Sequence, residues 1–204
     1  MRVNPEKKEE KERATHALLR VTLSLAAEHG FVSLGLREVS RAADIAPTSF
    51  YRHFADMEEL GLALIDGLAG RFMKSWVDEA DVEHAKGVAT VERIARQALV
   101  GASEDPELMR FILAERLGAI PSFRAALRRE LSTVSAAVEA ALAVDDVAVH
   151  PESRATVAEG VVVLMLEACG KTLDLDSAQS SAIGDHLELQ LRNMFALGPK
   201  RGRG

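Results

Sequence analysis

The chain has little of what marks several common classes of protein. Its single cysteine excludes an internal disulfide, so we expect a reducing, cytoplasmic compartment. Aromatic residues make up only 4% of its 204 residues, with one Trp and one Tyr. No apolar run approaches the roughly 20 residues of a membrane span. The charged segment Met1–Arg13 lacks the apolar core of a signal peptide, so we expect no membrane association.

Motifs for catalysis and metal binding are also missing from the sequence. No two of the six histidines have the close helical spacing of metal ligands, and Cys169 is alone. Gly170-Lys171-Thr172 resembles only the end of a phosphate-binding loop. We therefore expect no enzyme activity, no metal and no cofactor. Cys169 is expected to be a small buried apolar residue rather than a redox switch.

The residues that are abundant favour helices. The composition is 48% hydrophobic and 27% charged, which is typical of a globular chain with a sizeable core. Alanine and leucine dominate, and alternating β-branched runs are few, so the sequence predicts an all-α fold. Predicted breaks give about nine helices, three in a small N-terminal domain and six in a larger one. Their predicted spans are 11–29, 37–43, a helix from Pro47, 56–79, 88–103, 106–117, 121–143, 151–173 and 177–197.

The domain organisation follows from these spans. We expect a flexible arm at 1–10, a helix-turn-helix domain at 11–56, a larger domain at 57–197 and a disordered tail at 198–204. Net charge is −6 overall, but residues 1–56 hold nine lysines and arginines against eight acids. The acidic excess therefore lies in the larger domain, and the first domain can bind DNA through a local basic patch.

Residues Leu36–Phe54, LREVSRAADIAPTSFYRHF, carry the strongest functional signal. They predict two short helices joined by a turn at Asp44–Ala46, with Ile45 as an apolar plug between them. Pro47 suits the first turn of the second helix, where its missing N–H is not needed. This second helix offers side chains that can bond phosphates or base edges in the major groove: Thr48, Ser49, Tyr51, Arg52 and His53.

The same segment resembles the DNA-binding domain of TetR-family regulators. The resemblance covers roughly residues 10–62 and rests on Gly30–Phe31, Leu36–Val39, Ala43, Ile45, Ser49–Phe54 and Leu60. It implies a homodimer on palindromic double-stranded operator DNA. Tyr51 and His53 match the family's phosphate-contacting pair. The expected DNA-binding set is Arg37, Pro47, Thr48, Ser49, Tyr51, Arg52 and His53.

Three positions depart from the family pattern. Gly35 stands where Ser or Thr usually caps the next helix, and glycine is a weaker cap. Asp44 replaces the usual turn glycine and must adopt the left-handed conformation at some cost. Met57 stands where many relatives have a phosphate-binding lysine.

At Gly30 we expect the first helix to end in a left-handed conformation, with Phe31 packing back on the helix.

The last two helices are the expected dimer interface. Val161–Leu166 is apolar around its whole circumference, so it must be covered on more than one side. A second apolar stripe runs along the final helix: Ile183, Leu187, Leu191 and Met194. We expect these helices to pair with their copies as a four-helix bundle, with an ordinary buried hairpin as the alternative. A twofold dimer would set the two recognition helices roughly 34–36 Å apart.

A finer resemblance suggests the effector. Ser33–Leu62 and the larger-domain segments Leu113–Gly118 and Phe123–Leu131 are similar to repressors of unsaturated fatty acid synthesis, the FabR and DesT type. This implies a long-chain acyl thioester, on CoA or acyl carrier protein, as the effector. Arginines would bind the phosphates of this effector, and apolar side chains would line the space for its acyl chain. The candidate ligand-binding residues are Phe72, Trp76, Leu108, Phe111, Ile112, Arg116, Arg124, Arg128 and Leu164.

The resemblance also suggests how such an effector acts. Acyl chains of different shape would favour different angles of the fourth helix, which glycines at 61, 67 and 70 would allow to bend. Two alternatives stay open. One is a TetR-type repressor that senses another small hydrophobic metabolite or drug, and the other is a helical lipid carrier that binds no DNA.

Overall fold

The computed structural model describes residues 5–77, 87–143 and 149–196, and all regular structure in these ranges is helical. It contains nine helices, as the sequence predicted. Helix α4 is the exception to regular geometry, because a π-helical segment, Ile65–Ala69, separates its two α-helical parts. The helices are α1 Pro5–His29, α2 Leu36–Ala42, α3 Pro47–Phe50, α4 Met57–Leu64 with Gly70–Ser75, α5 Val88–Glu104, α6 Pro106–Arg116, α7 Pro121–Leu142, α8 Arg154–Thr172 and α9 Ser177–Ala196.

Helix α1 begins at Pro5, six residues before the predicted start at Lys11. The predicted arm is therefore helical from Pro5 onward. Proline is tolerated in the first turn of a helix, and alternating acids and lysines at i,i+4 support the turns that follow. Lys8 and Glu12 form one such pair, at 3.7 Å. The first four residues of the predicted arm, the end of the predicted fourth helix with most of the break after it, and the predicted tail lie outside the described residues.

Side-chain caps position the starts of two helices. The Asp56 carboxylate accepts the backbone N–H of Glu59 at 2.8 Å, and the Glu59 carboxylate accepts the backbone N–H of Ala55. Asp56 is thus a side-chain N-cap of α4, and Glu59 reaches back to the residue before it, which resembles a capping box shifted by one residue. Asp105 caps α6 in the same way, accepting the N–H of Leu108 at 3.1 Å. The caps satisfy donors that a helix leaves unpaired.

The helices form a small N-terminal unit and a larger helical layer. Helices α1–α3 pack on one another, and α1 also lies along α6. In the larger unit, α8 packs against α7, α9 and α5, and α7 reaches back to α4 and α5. Helix α9 runs beside α5, where Arg192 Nε donates to Glu92 at 2.6 Å. The long helix α7 therefore joins the core of the larger unit to the helix that follows the helix-turn-helix.

Part of the apolar surface of α8 and α9 faces the core of this chain, and not a partner as the sequence predicted. On α9, Leu187 and Leu191 are buried within the chain itself, so the predicted stripe faces this chain's own core rather than a partner. The exposed apolar side chains are instead Val163, at 56% exposure, and Leu189, at 55%. Cys169 is fully buried on α8, and burial raises the pKa of its thiol to about 12, as expected for a packing residue.

Candidate DNA-binding site and interdomain contacts

The backbone of the helix-turn-helix adopts the conformations that its residues predict. Asp44 has φ 55°, the left-handed geometry expected of this turn. Gly35 is the N-cap of α2 and makes no side-chain hydrogen bond, as expected of a glycine cap. Gly30 has a positive φ of 79°, but its ψ of 141° differs from the left-handed helical conformation that was predicted. Here the chain leaves α1 more extended than a typical C-terminal cap.

Helix α3 ends at Phe50, so Tyr51, Arg52 and His53 lie in the turn after it and not on the helix as predicted. Apolar and polar side chains separate sharply along this helix and turn. Phe50 is completely buried and Phe54 nearly so, and these two rings anchor the segment on the core. On the opposite side Tyr51 is 64% exposed, and Thr48 and Arg52 are exposed beside it. The edge of the Phe50 ring supports Tyr51, with ring centroids 5.8 Å apart. Tyr51 therefore faces solvent rather than packing on α1, and its hydroxyl is available to a phosphate.

His53 is held by a residue of the first helix. Its Nδ1 lies 2.9 Å from the hydroxyl oxygen of Thr15, and that hydroxyl donates to the carbonyl of Lys11 at 2.9 Å. Since the Thr15 proton is committed, His53 Nδ1–H must donate, which leaves Nε2 without a proton in the neutral ring. Burial lowers the pKa of His53, and the nearby charges of Lys11 and Arg52 lower it further.

The helix-turn-helix and α1 enclose an open cleft of about 610 Å³. Basic and polar groups from both elements meet there, including Lys11, Ser49, Arg52 and His53. The cleft thus brings the charge of Lys11 next to the predicted DNA-contacting residues. Arg37 and Pro47 are exposed, and Met57 is half-buried against the core, so no phosphate-binding lysine is present at that position.

The predicted ligand-binding residues fall into separate groups. Phe72 and Trp76 pack edge to face with ring centroids 5.3 Å apart, against Gly101 of α5. Leu108, Phe111 and Ile112 are buried along α6, and Leu164 is half-buried on α8. The Phe111 ring lies near Phe31 of the N-terminal unit, at 6.5 Å between centroids, rather than with the Phe72–Trp76 pair. Ligand contact at these positions stays a prediction.

The predicted arginines flank the turn between α6 and α7. Arg116 ends α6, and its Nε is buried without a hydrogen-bond partner in the described part of the chain. Arg124 Nη1 donates to the carbonyl of Gly118 at 2.6 Å, and Arg128 is exposed one turn further along α7. The neighbouring Arg129 pairs with α4, where its Nη2 lies 3.4 Å from Asp66 Oδ1.

Sequence reasoning missed the contact between the two units. Phe31 projects into the larger unit, where its ring lies 4.8 Å from that of Phe123. Glu115 is buried at 4% exposure, and burial raises the pKa of its carboxyl, while a hydrogen bond from the Phe31 backbone N–H acts in the opposite direction. No sequence spacing joins these residues. The only signal was an acid among apolar residues of α6.

Two kinds of feature are absent from the described ranges. No helix there is long and apolar enough to cross a membrane. Across the same residues, no three histidines, cysteines or acids are grouped so that they could hold a metal ion.

The N-terminal unit matches a known family, and the fold of the chain matches several solved structures. Residues 18–64 match the model for bacterial regulatory proteins of the tetR family. A TetR-like transcriptional regulator from Rhodococcus sp. RHA1 has the same fold, with a TM-score of 0.74 at 14% identity over 96% of this chain and all of the other. E. coli NemR in its reduced form gives 0.70 at 18% identity, over 92% of this chain and 100% of its own. FadR of Bacillus halodurans, a fatty acid degradation regulator, gives 0.67 at 14% identity, over 94% and 96%.

These likenesses agree with the exposed second helix of the helix-turn-helix, with the basic residues that follow it, and with the all-helical larger unit. The matched residues span α1 from Leu18 to the end of the first part of α4. Residues 18–64 therefore match the DNA-binding domain of the tetR family, and the whole chain shares the fold of the solved structures named above.

Proposed function

We propose that the chain is a dimeric repressor of genes for unsaturated fatty acid synthesis or desaturation, controlled by long-chain acyl thioesters. The observation that carries the DNA-binding half is the exposed group Thr48, Tyr51 and Arg52, on α3 and the turn after it, a segment that Phe50 and Phe54 anchor on the core. Arg52 is the best candidate to read a guanine, because its fork can bond O6 and N7 together. Tyr51 and His53 would fix the position of the helix on the phosphates.

The proposed dimer uses the outer faces of α8 and α9. Val163 and Leu189 are each more than half exposed there. Two-helix faces that pair about a twofold axis bury such side chains in a four-helix bundle. The same axis would place two copies of α3 about one DNA turn apart, roughly 34–36 Å.

The effector half of the proposal has three supports. The segments around Leu113–Gly118 and Phe123–Leu131 resemble fatty acid regulators, and the fold is shared with FadR of Bacillus halodurans. Arg116 and Arg128, with the turn between α6 and α7, supply cationic groups for a CoA or carrier-protein phosphate. Helix α6 carries the apolar candidates over eleven residues, a length of about 16 Å, which suits a long acyl chain.

Helix α4 offers a route from effector to DNA. It follows the helix-turn-helix directly and contains the π-helical segment Ile65–Ala69. π-helical turns within α-helices are frequent at functional sites. An acyl chain near Phe72 and Trp76 would act at the far end of α4. It would shift the angle of the DNA-binding domain only if the protein binds it with different affinity at the two angles.

The test is fluorescence anisotropy of labelled promoter DNA from fatty acid desaturation genes, titrated with the full chain at fixed salt. Oleoyl-CoA, palmitoyl-CoA and free CoA are added in separate titrations. Opposite shifts by the two acyl chains are expected, with no shift by CoA alone. Specific DNA binding that is indifferent to both would overturn the acyl assignment and favour another hydrophobic effector.

Trp76 provides a second readout that needs no DNA. It is the only tryptophan of the chain and is buried at 1% exposure. Binding of an acyl chain beside it is expected to change its emission. A Tyr51→Ala variant should keep this change and lose DNA binding, whereas a lipid carrier without operator would show the change with no specific DNA binding in either protein.

A further inference from the structure

The N-terminal unit is joined to the larger unit by more than the continuous chain of α4. Phe31, just after α1, is 4% exposed although it lies in a short segment between two helices. Its ring packs edge to face on Phe123 of α7, with centroids 4.8 Å apart, and more distantly on Phe111 of α6. Aromatic pairs of this geometry contribute about 0.5–1.5 kcal/mol beyond area burial.

Phe123 also touches α4, so one ring contacts both connections between the units. A Cβ built on Gly61 would lie 2.0 Å from the Phe123 Cζ, a distance that only the absence of a side chain allows. The ring of Phe123 therefore occupies the space that a side chain at position 61 would fill. Any rotation of α4 against α7 must also move Phe123 relative to Phe31.

Glu115 acts on this packing in two ways: its hydrogen bond from the Phe31 backbone N–H holds the contact, and the burial of its carboxylate, which is the larger effect, opposes it. Its residue is buried beside Phe31, and its Oε2 has no hydrogen-bond partner in the described residues. A buried carboxylate with an unsatisfied oxygen is unfavourable, and exposing it to water removes that penalty. A Cβ at Gly118 would lie only 2.7 Å from the same oxygen, so the turn after α6 closes directly over the carboxylate.

We propose that Phe31, Phe123 and Glu115 form a joint with a closed and an open position, which sets the angle of the DNA-binding domain. The Phe31–Phe123 contact favours the closed position, and the buried Glu115 carboxylate favours the open one. These are positioning residues, since none of them is placed on the DNA. The inference rests on the proposed dimer and operator, in which the angle becomes the separation of the two α3 helices.

The joint lies next to the proposed cationic group. Arg124 Nη1 donates to the carbonyl of Gly118, and Gly118 closes over Glu115. A phosphate that draws Arg124 away would free this turn and change the surroundings of the carboxylate. An effector head group at the α6–α7 turn would thus bias the joint directly.

The experiment compares operator spacing preference among full-length variants. The wild-type protein first selects its inverted repeat from a random duplex pool, and affinities are then measured for the selected half-sites with spacers lengthened or shortened by one base pair. Phe31→Leu is expected to flatten the spacing preference by about tenfold, because a loosened joint permits several angles. Glu115→Gln is expected to sharpen it by at least about threefold, because a neutral amide is easier to bury.

Two controls separate the joint from general stability and from DNA contact. Val138→Ala removes buried volume from α7 far from the joint, and it should lower thermal stability without changing the spacing profile. Tyr51→Phe should weaken binding equally at all spacings. If folded Phe31→Leu and Glu115→Gln proteins keep the wild-type profile, or if Val138→Ala changes it equally, the joint is overturned.

Hydrogen exchange of residues 30–36 tests the joint without DNA. Exchange should be faster in Phe31→Leu and slower in Glu115→Gln than in the wild type. Exchange rates that are unchanged in both variants, or faster in both, would contradict the joint. A wild-type protein that selects no inverted repeat would overturn the proposed function, together with the link from joint to operator spacing. In that case, exchange rates that change in the expected opposite directions would still support the contact between the two units, without its effect on operator spacing.

Discussion

Two ionisable side chains, His53 and Glu115, are each held by a group that sequence spacing does not reveal. His53 donates to Thr15 of α1, and Glu115 accepts from the backbone of Phe31. Both are partly or fully removed from water, so in each the charged form is disfavoured. The pKa of His53 is accordingly lowered and that of Glu115 raised. Their titrations therefore report on the DNA site and on the interdomain contact respectively.

We predict that operator affinity rises as pH falls below 6.5, the ordinary pKa of histidine from which that of His53 is lowered. Nδ1 already donates to Thr15, so only the protonated ring can donate from Nε2 to a phosphate, and the phosphate in turn favours that proton. Anisotropy titrations from pH 7.5 down to about 5.5 would measure the effect. His53→Gln, which has no titrating group, should lose this part of the pH dependence; an unchanged profile would show that another group is responsible.

Glu115 gives a prediction of opposite sign for folding stability. Because its folded pKa is raised above the ordinary 4.5, the folded state holds a proton that the unfolded state has lost, and stability falls as pH rises through the raised pKa. Glu115→Gln should therefore match the wild type near pH 4 and exceed it in free energy of unfolding at pH 7. Urea unfolding at the two pH values measures the difference. A constant difference would contradict a titrating carboxyl.

At the scale of elements, helix α4 is the least regular part of the described chain. Two of its three glycines, Gly61 and Gly67, lie in opposite environments. Gly61 is pressed against the Phe123 ring, whereas nothing lies within 4 Å of a Cβ built on Gly67. Gly67 falls in the π-helical segment, and Gly61 in the regular part before it. The two residues therefore serve different physical needs, close packing at one and a soft backbone at the other.

Matched alanine substitutions at these glycines should have opposite effects. Gly67→Ala should raise the free energy of unfolding by about 0.5–1 kcal/mol, because alanine loses less backbone entropy in a helix. Gly61→Ala should lower it by about 1–3 kcal/mol, because the new methyl overlaps Phe123. Chemical denaturation of both variants measures the signs. If Gly67→Ala also reduces the response to acyl-CoA, flexibility of the π-helical segment is part of the mechanism.

The turn of the helix-turn-helix carries a small local strain. Asp44, at φ 55°, is the only non-glycine residue with positive φ among those described. Asp44→Gly should stabilise the protein by about 0.5–1 kcal/mol, since glycine adopts this conformation without steric cost. Thermal unfolding measures the change, and operator affinity should stay within about twofold because the residue is in the turn and not on α3. A loss of stability would show that the aspartate side chain is itself required.

For the whole molecule, assembly decides function, because one chain presents one recognition helix. The exposed Val163 and Leu189 mark the faces of α8 and α9 available to a second copy. Placing an arginine at both positions should convert the dimer to a monomer and lower operator affinity by at least about tenfold, since charges are depleted from interface cores. Val100→Arg, at an exposed position of α5, is the matched control. Sedimentation velocity measures the state; a dimer that survives the double substitution would place the interface elsewhere.

Local sequence patterns alone determined most of the helices and the local conformations of the helix-turn-helix. The starts of α5, α6, α7 and α9 agree with the predicted ones, and Gly35 and Asp44 have their expected local conformations. These features depend on hydrogen bonds and backbone preferences within a few residues, which the order of residues encodes directly. Contact of Tyr51 and Arg52 with DNA stays a prediction; the structure shows both side chains exposed, in the turn after α3.

Only the tertiary structure decided which distant residues meet. Thr15 and His53 are 38 positions apart, and Phe31 and Phe123 further still. The stripe of Leu187 and Leu191 was expected to pack on a partner, but both residues are buried within the chain. Helical periodicity shows that a face is apolar, but it does not show which element covers that face. The π-helical segment in α4 likewise has no local sequence signal of its own. These features arise from the packing of whole helices, so the physical reason that the sequence did not reveal them is their long-range origin.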